Sequence, residues 1–378
     1  MKYNLADICE YAKGKVDVAI LDDETYISTE NMMPNKGGIT SASSLPTIAQ
    51  TQVFLAGDVL VSNIRPYFKK IWFAEFDGGC SNDVLVFRAK DGVSKRFLYY
   101  VLSDDTFFDY SMATSKGTKM PRGDKAAIMK YEVPDFTYEE QEKIAGVLEA
   151  LDRKIQLNTE INENLLQQAQ SIFTQEFLVL DTIPDGWQES SLLGIADYLN
   201  GLAMQKYRPK DDEQGLPVLK IKELRQGSCD SNSELCSPSI KPEYIVHDGD
   251  VIFSWSGSLL VDLWCGGTCG LNQHLFKVTS STYDKWFYYA WTNHHLQKFA
   301  AIAADMATTM GHIKREELAK AEVLIPSQSD YDRIGGLLAP LYDLVIANRI
   351  ENRKLASLRD ELLPQLMSGQ LDVSEVSI

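Results

Sequence analysis

"EQEKIAGVLEALDRKIQLNTEINENL" (residues 140–165) is one of two stretches that decide the fold of this chain, and "DYDRIGGLLAPLYDLVIANRIENRKL" (residues 330–355) is the other. The two align without a gap at a constant separation of 190 positions. In both, apolar residues recur in alternating steps of four and three, which is a coiled-coil heptad pattern. A stripe this narrow needs a partner helix, and the chain carries one in its own second copy. The predicted seam is Leu148, Leu151, Ile155, Asn158, Asn162 and Leu165 in the first helix, and Leu338, Leu341, Val345, Asn348, Asn352 and Leu355 in the second.

Two asparagines interrupt each seam at the same depth. A polar residue at a seam position costs stability but specifies register and partner. In an antiparallel pair the asparagine layers meet near the middle, whereas a parallel pair matches them directly, so the repeat by itself leaves both arrangements open. Pro340 in the second copy predicts a kink or a restart of that helix.

The duplication extends over the whole chain. "LAGDVLVSNIRP" (residues 55–66) is similar to "HDGDVIFSWSGS" (residues 247–258), and "SNDVLVFR" (81–88) aligns with "LNQHLFKV" (271–278) at the same separation of 190. A repeat of this size indicates a duplicated domain, because solenoid repeats have periods of about 20–50 residues. The predicted segments are a first globular domain (1–137), a central helix (138–181), a second globular domain (182–327) and a distal helix (328–378).

Both globular halves combine strands with helices. Short β-branched and aromatic runs such as residues 58–64, 83–89 and 250–255 predict strands. Residues 94–113 and 283–304 predict one amphipathic helix in each half. The expected fold class is therefore α+β.

Composition excludes several classes of protein. The chain has 378 residues, of which 44% are hydrophobic. It lacks both a run of about 20 apolar residues and the apolar core of a signal peptide, so we expect a cytoplasmic protein without membrane segments. Cys265, Cys269 and His274 lie close together in the sequence, but no second pair of ligands follows them, and no metal site is predicted.

Catalytic motifs are missing from the sequence. A methyltransferase would need an Asn/Asp-Pro-Pro-aromatic motif, and the chain has no Pro-Pro pair. It also lacks the phosphate-binding loop of an ATPase. A nuclease site at Pro134, Asp135 and Lys143 would need an acid at position 141, which is Gln141. We expect no catalytic residues.

Charge is unevenly distributed along the chain. The net charge of −16 by itself argues against a nucleic-acid-binding protein. One loop, "TSKGTKMPRGDKAAIMK" (residues 114–130), has the opposite balance, with five basic residues against Asp124 alone. This loop is the strongest candidate for contact with phosphates.

The chain resembles the specificity subunit of type I restriction-modification enzymes, the HsdS family. The resemblance rests on the duplicated plan, on "EQEKIAGVLEALDRKIQLNTEINENLLQQAQSIFTQEF" in the centre, on "DGWQESSLLGIADYLNG" (185–201) and on "LRDELLPQLMSGQLDV" (358–373). Each motif is short, but their order and spacing together are specific. The first half departs from the pattern, since it has no counterpart of Asp185-Gly186-Trp187.

The resemblance implies two α/β target recognition domains joined by two long antiparallel coiled-coil helices. Each domain would read one half of a split, asymmetric site in double-stranded DNA. The helices would set the gap between the half-sites and dock two methyltransferase (M) subunits, and restriction (R) subunits would complete the enzyme. S-adenosylmethionine, ATP and Mg²⁺ are expected on those partners, with no cofactor on this chain.

The residues expected to contact DNA are chosen by their chemistry, because basic side chains bind phosphates, and amides and hydroxyls reach base edges. In the first half they are Asn63, Arg65, Tyr67, Lys69, Lys70, Lys116, Thr118, Lys119, Arg122 and Lys125. In the second half they are Trp255, Ser256, Asn272, Gln273, His274, Thr308, Thr309, His312 and Lys314.

Two other functions remain open from the sequence. The chain could serve a related bipartite system whose single partner both methylates and cuts DNA, which neighbouring genes would distinguish. It could also be a coiled-coil scaffold that does not bind DNA, although that role leaves two divergent globular halves unexplained.

Inserting one heptad into both helices is the first test. We expect the unread spacer of the recognised DNA sequence to lengthen while both half-sites stay the same, because the helices act as a ruler. The measurement is a map of methylated adenines. An unchanged spacing would refute the ruler.

Overall fold

The computed structural model describes residues 2–305 and 313–373, and these form two compact units. Unit 1 comprises residues 1–153 and 355–378, and unit 2 comprises residues 154–354. Both ends of the chain therefore belong to the same unit. Each unit combines one globular half with portions of both long helices.

Unit 1 contains short strands and helices in its globular part. Its strands are β1 (Lys2–Asn4), β2 (Cys9–Tyr11), β3 (Lys15–Asp17), β4 (Tyr26–Ile27), β5 (Gln50–Phe54), β6 (Val59–Ser62), β7 (Ile71–Phe73), β8 (Gly78–Cys80), β9 (Val84–Ala89) and β10 (Glu132–Pro134). Its helices are α1 (Leu5–Ile8), α2 (Lys95–Ser103), α3 (Asp105–Ala113), α4 (Lys125–Ile128) and the first part of α5 (Tyr138–Phe173).

The central strands of unit 1 are buried on both faces. The strand orders are β2-β9-β6-β7 and β3-β5-β8-β4, and β1 pairs with β10. Along β6, Val59 and Val61 pack in the core beneath α2 and α5, whereas Leu60 packs in a second cluster with Phe54 and Trp72. Because neighbouring side chains of a strand point to opposite faces, this run is apolar without alternation.

Unit 2 repeats this plan. Its strands are β11 (Gln188–Ser191), β12 (Asp197–Asn200), β13 (Leu216–Leu219), β14 (Leu235–Cys236), β15 (Ile245–Val246), β16 (Val251–Ser254), β17 (Leu260–Leu263), β18 (Cys269–Leu271), β19 (Leu275–Thr279) and β20 (Glu322–Ile325). Its helices are α6 (Leu192–Ile195), α7 (Ile221–Gln226), α8 (Lys285–His294), α9 (Leu296–Asp305), α10 (Arg315–Ala319) and most of α11 (Gln328–Met367). The strand orders are β12-β19-β16-β17 and β14-β13-β18-β15, and β11 pairs with β20.

The repeated Gly-Asp-Val sequence forms the same turn in both units. Gly57 donates its N–H to the carbonyl of Ala74 at 2.7 Å, and Gly249 donates to Trp264 at 2.6 Å. Both glycines have a left-handed backbone, with φ values of 92° and 86°. Only glycine adopts this conformation without a steric cost, so the turn that starts β6 and β16 explains why the motif recurs.

The structure corrects the two predicted amphipathic helices, because each is divided in two. In unit 1 the break falls at Asp104, which has an extended backbone and accepts a hydrogen bond from the N–H of Thr106 as the cap of α3. In unit 2 it falls at His295, whose Nε2 lies 2.8 Å from the carbonyl oxygen of Glu322. The residue at each break is polar and makes a side-chain hydrogen bond outside the helix. Such bonds compete with the backbone hydrogen bonds of a helix, and hydrophobic periodicity does not indicate them.

The long helices pack antiparallel, as expected. Within unit 2, Asn158 of α5 donates to Asn352 of α11 at 2.8 Å, and Asn348 donates to Asn162 at 2.9 Å. The residue numbers rise along α5 as they fall along α11, from 158 with 352 to 162 with 348, so the pairs are crossed and the two helices run in opposite directions. Asn158 also donates to Glu351 at 2.6 Å. Asn158 and Asn162 are buried, and each is hydrogen-bonded to the other helix.

The same antiparallel arrangement holds within unit 1. Arg359 of α11 donates to Asp152 of α5 at 2.8 Å, and Tyr100 of α2 donates to the other oxygen of that carboxylate, also at 2.8 Å. Every residue of the predicted seam is buried or half-buried.

Of the two outcomes predicted at Pro340, a kink or a restart, the restart is wrong, since α11 continues through the proline. Leu338 and Tyr342, on either side of this proline, are both buried in the core of unit 2. This packing holds the helix together where the proline removes a backbone hydrogen bond.

Replacing one asparagine of a crossed pair tests the polar layer. We expect Asn162→Leu to lower the free energy of unfolding by about 1–3 kcal/mol, because the amide of Asn348 loses its partner. The double variant Asn162→Leu/Asn348→Leu should recover much of that loss, since it leaves no unpaired amide. Denaturant unfolding measures both, with the exposed Asn164→Leu as the control. Equal losses in the single and double variants would contradict the pairing.

Candidate nucleic-acid interface

Two stretches that the sequence offers as separate candidates lie against each other in unit 1. We call residues 63–70 and 116–125 together the basic surface. Gly123 donates its N–H to the carbonyl of Asn63 at 3.2 Å. A Cβ atom on Gly123 would lie 2.9 Å from the Asn63 Oδ1 atom, so only a glycine allows this close approach.

Further backbone hydrogen bonds hold the basic surface together. Arg65 donates its N–H to the carbonyl of Pro121 at 2.8 Å, and Lys116 and Arg122 exchange two backbone hydrogen bonds of 2.9 Å. The Nε atom of Arg65 is buried and has no hydrogen-bond partner among the described residues. The loop is thus a docked hairpin beside the end of β6, and its backbone has a defined position.

Acidic neighbours partly neutralise the hairpin. Lys116 pairs with Asp124, and this hydrogen bond is the main reason that the pKa of the Asp124 carboxyl lies below its ordinary value. The guanidinium of Arg122 lies 3.1 Å from a carboxylate oxygen of Asp83. All these contacts are at the surface, so they are weak and open to competition from phosphates.

Other cations of the hairpin have no acidic partner in the described chain. Thr118 and Lys119 are exposed and make no hydrogen bond or ion pair there. The Nζ atom of Lys125 lies 5.9 Å from the centre of the Tyr11 ring, and Tyr11 donates its hydroxyl to the Lys125 carbonyl at 3.0 Å. The ammonium group of Lys119, at the tip of the hairpin, is therefore not neutralised by an acidic side chain of the described chain.

The cations after the end of β6 are held by unit 1 itself. The ammonium of Lys69 lies 2.7 Å from the Asp105 carboxylate. Lys70 donates to the carbonyl of Thr29 at 2.6 Å, and burial lowers the pKa of this lysine. Tyr67, in the same stretch, is exposed.

In unit 2 the corresponding place is polar and nearly uncharged. Trp255 donates its indole N–H to Asn200 at 3.1 Å. The Ser256 hydroxyl lies 3.1 Å from the Nδ1 atom of His274. Trp255, Ser256 and His274 therefore form one cluster after the end of β16.

The predicted amides join this cluster in different ways. Asn272 is buried and donates its side-chain amide to Gln273 at 3.1 Å. The Gln273 amide nitrogen lies 3.4 Å from the Nε2 atom of His274. Gln273 and His274 are half-buried, so they are better placed than Asn272 to meet a ligand. We call Trp255, Ser256 and residues 272–274 the polar surface of unit 2.

A segment docks on the polar surface as the hairpin does in unit 1. Ile313 donates its N–H to the carbonyl of Trp255 at 3.1 Å, which is the equivalent of the bond between Gly123 and Asn63. Lys314 follows it and is exposed. The other candidates of this segment, Thr308, Thr309 and His312, lie outside the described residues.

The register of the strands corrects one alignment. Ser62 pairs with Val84 in unit 1, and Ser254 pairs with Leu275 in unit 2. The strands β9 and β19 are therefore 191 positions apart, and the alignment of residues 81–88 with residues 271–278 is wrong by one residue.

Several residues that shape the two surfaces had no signal in the sequence. Asp83, Asp105 and Thr29 hold cations of the basic surface, and Asn200 holds Trp255. All of them come from distant parts of the chain. Only Asp83, which is the first residue of a predicted strand, could have been found by asking which side chains lie at the same sheet edge.

Nothing in residues 2–305 and 313–373 suggests a metal centre, since no group of three or more His, Cys, Asp or Glu side chains is placed to hold an ion. No helix within these ranges is long and apolar enough to cross a membrane.

Comparison with known proteins gives one family. The model of the type I restriction modification DNA specificity domain matches residues 1–167 and again residues 184–358. The two matches cover most of the chain and reproduce its duplication.

Individual relatives agree with this match. The MjaIX type I restriction enzyme specificity subunit of Methanocaldococcus jannaschii is 26% identical over 309 residues, which cover 76% of this chain and 71% of the relative. The HindI specificity subunit of Haemophilus influenzae is 19% identical over 457 residues and covers 98% of this chain and 99% of its own. The crystal structure of a type I restriction-modification S subunit from M. genitalium has a TM-score of 0.57 at 14% identity, over 97% of this chain and 96% of that one, which is a likeness of fold.

Lys119→Ala tests the hairpin as a phosphate contact. We expect the slope of log affinity for duplex DNA against log salt concentration to become less negative by about 0.9, because one released counterion is lost. Since Lys119 is exposed, the free energy of unfolding should change by less than about 0.5 kcal/mol. Lys90→Ala, just beyond the opposite end of β9, is the control. Equal slopes for wild type and Lys119→Ala would exclude this contact.

Proposed function

The chain belongs to the type I restriction-modification DNA specificity family, and we propose that it reads a bipartite, asymmetric site in double-stranded DNA for a type I restriction-modification enzyme. In this proposal each unit reads one half-site. The chain itself is not catalytic.

One observation carries the proposal. Both units place a docked segment on the carbonyl of the residue that follows their central strand, through Gly123 on Asn63 and Ile313 on Trp255. The scaffold is the same, but the side chains that it presents are different. Two equal frames with different side chains suit a protein that reads two different short sequences.

The two surfaces differ in the chemistry that they offer to DNA. The basic surface has guanidinium and ammonium groups, which bind phosphates and the acceptor edge of guanine. The polar surface has amide, hydroxyl and imidazole groups, which suit adenine and the neutral edges of other bases. An asymmetric target follows from this difference.

The net charge of −16 limits what the chain can do alone. Non-specific affinity for DNA depends on the number of phosphates that basic residues neutralise. We therefore expect weak, strongly salt-dependent binding by the isolated chain, with partner subunits supplying most of the positive charge.

The antiparallel helices have two roles in the proposal. They set the number of unread base pairs between the half-sites, and they dock two methyltransferase subunits, to which restriction subunits are added. S-adenosylmethionine would bind the methyltransferase subunits, and ATP and Mg²⁺ would serve the partners that methylate, translocate and cut. Each chemical step would thus take place on a partner.

A genome-wide map of N6-methyladenine, with the gene intact and deleted, tests the function. We expect a split, asymmetric motif with methylated adenines in both halves to disappear on deletion. A palindromic motif would contradict the asymmetry. An unchanged map in a cell that expresses the partner genes would favour the coiled-coil scaffold, and a single fused partner gene would favour the related bipartite system.

Leu157 and Ile161 provide a test of docking on the helices. They are one turn apart on α5 and are 45% and 43% exposed, although they are large and apolar. We expect Leu157→Asp/Ile161→Asp to reduce co-purification of the methyltransferase subunits, because charges would have to be buried in the interface. Leu235→Asp, on an equally exposed leucine of β14 (46%), is the matched control. Undiminished co-purification would show that docking uses another face.

A further inference from the structure

Two turns of unit 1 share an unusual backbone conformation. Asn35, Lys36, Arg65 and Lys69 are the non-glycine residues with a left-handed backbone in the described part of the chain, with φ values of 55°, 61°, 51° and 50°. We call residues 34–37 and 65–69 the strained turn pair. A left-handed backbone is costly for any residue with a Cβ atom, and such strain persists only where the surroundings enforce it.

Hydrogen bonds between the two turns enforce it here. Asn35 donates its N–H to the carbonyl of Phe68 at 2.8 Å, and Lys36 donates to the carbonyl of Lys69 at 2.9 Å. Arg65 and Lys69 flank a single 3₁₀ turn, Pro66–Phe68, whose first residue has a fixed φ. The turn is therefore rigid although it lies at the surface.

Two aromatic rings are presented by this rigid turn. Tyr67 is 49% exposed and Phe68 is 38% exposed, and their ring centres are 4.6 Å apart. Exposure of two adjacent large rings has a solvation cost that a folded protein normally avoids by burial. Strain and exposed aromatic surface thus occur in the same few residues.

Basic residues flank the two rings in the chain and lie on the facing turn. Lys36 and Lys69 lie 2.9 and 2.7 Å from the two oxygens of the Asp105 carboxylate. Arg65 joins the turn to the hairpin through its hydrogen bond to Pro121. The rings are therefore part of the basic surface, on a support that holds the flanking ammonium groups in place.

Unit 2 has no equivalent of this turn in its described residues. Residues 63–70 connect β6 to β7, whereas the shorter stretch 255–259 connects β16 to β17 and contains neither Pro nor Tyr nor Phe. Its one aromatic residue, Trp255, is half-buried and donates a hydrogen bond to Asn200. The frame is repeated but the aromatic turn is an addition to unit 1. A feature added to one recognition unit points to the half-site that this unit reads.

The geometry points to Tyr67 and Phe68 as a rigid aromatic wedge that inserts at a base step of the first half-site and partly unstacks it. This inference deepens the proposed function and rests on it. Apolar side chains inserted between base steps are a known means of kinking duplex DNA. Rigid support matters because a flexible turn would fold back rather than separate two stacked bases.

Duplex DNA is favoured over a protein as the occupant by charge. The rings lie between Arg65 and Lys69 in the chain, and the Nζ atom of Lys70 is 5.9 Å from the centre of the Phe68 ring. This positive charge would attract a polyanion. The partner-facing helices, by contrast, are acidic, since residues 138–181 include nine Asp or Glu and three Lys or Arg. A phosphate backbone can also take over the ammonium groups that Asp105 holds.

Fluorescence of 2-aminopurine tests the wedge directly. The full chain, assembled with its methyltransferase subunits, is bound to duplexes that carry the mapped motif with 2-aminopurine at successive positions of the first half-site. We expect fluorescence to rise several-fold at one step, because unstacking removes the quenching. In Tyr67→Ala/Phe68→Ala the rise should disappear, and affinity should fall about 5- to 150-fold, the equivalent of about 1–3 kcal/mol of stacking.

Two variants separate the wedge from a folding defect. Tyr67→Phe keeps both rings and should keep the fluorescence rise. Tyr3→Ala removes an aromatic side chain that is 41% exposed elsewhere in unit 1 and should change nothing. The wedge is supported if the fluorescence rise is kept in Tyr67→Phe and is unchanged in Tyr3→Ala.

Other results overturn it in distinguishable ways. If wild type binds the motif tightly with no rise at any position, the wedge is wrong and the reading function stands. If the double alanine variant loses the methyltransferase subunits but not the rise, the rings are a protein contact. If deletion of the gene removes no methylated motif, the proposed function and the wedge both fall.

Discussion

The crossed hydrogen bonds between Asn158 and Asn352 and between Asn162 and Asn348 are the constraint on which the arrangement depends. A purely apolar seam could slip by a heptad at little cost, since one leucine replaces another. A buried amide cannot slip, because every other register leaves it without a partner. The polar layer thus converts two similar helices into a pair with one alignment, and this alignment is what a protein that measures DNA would need.

Duplication explains why units 1 and 2 share the same frame. Both units use a Gly-Asp-Val turn to start a strand that is buried on both faces, and both dock a later segment on the residue after that strand. The docked segment and its neighbours differ between the two units, although the frame is the same. One such difference is the contrast between a basic surface in unit 1 and a polar surface in unit 2.

Strain and charge are concentrated at the variable positions rather than in the frame. The non-glycine residues with a left-handed backbone in the described chain lie in the basic surface or are hydrogen-bonded to it, and the acidic groups Asp83, Asp105 and Asp124 hold its cations. These carboxylates orient the cations before a ligand arrives, and as surface pairs they are readily exchanged for phosphates. Pre-organisation of this kind lowers the entropy lost on binding.

The sequence by itself determined the duplication, the two long helices, their seam and asparagine layers, and the family. These features are periodic or repeated, so each is recorded in residues close together along the chain. Tertiary structure alone decided that the hairpin docks on Asn63 and Arg65, that α2 and α3 separate at Asp104, and that β9 and β19 are 191 positions apart. Each of these depends on hydrogen bonds between residues far apart in the sequence. Local propensity and periodicity carry no information about such partners. The residues of the two surfaces could therefore be predicted from the sequence, but the contacts between them could not.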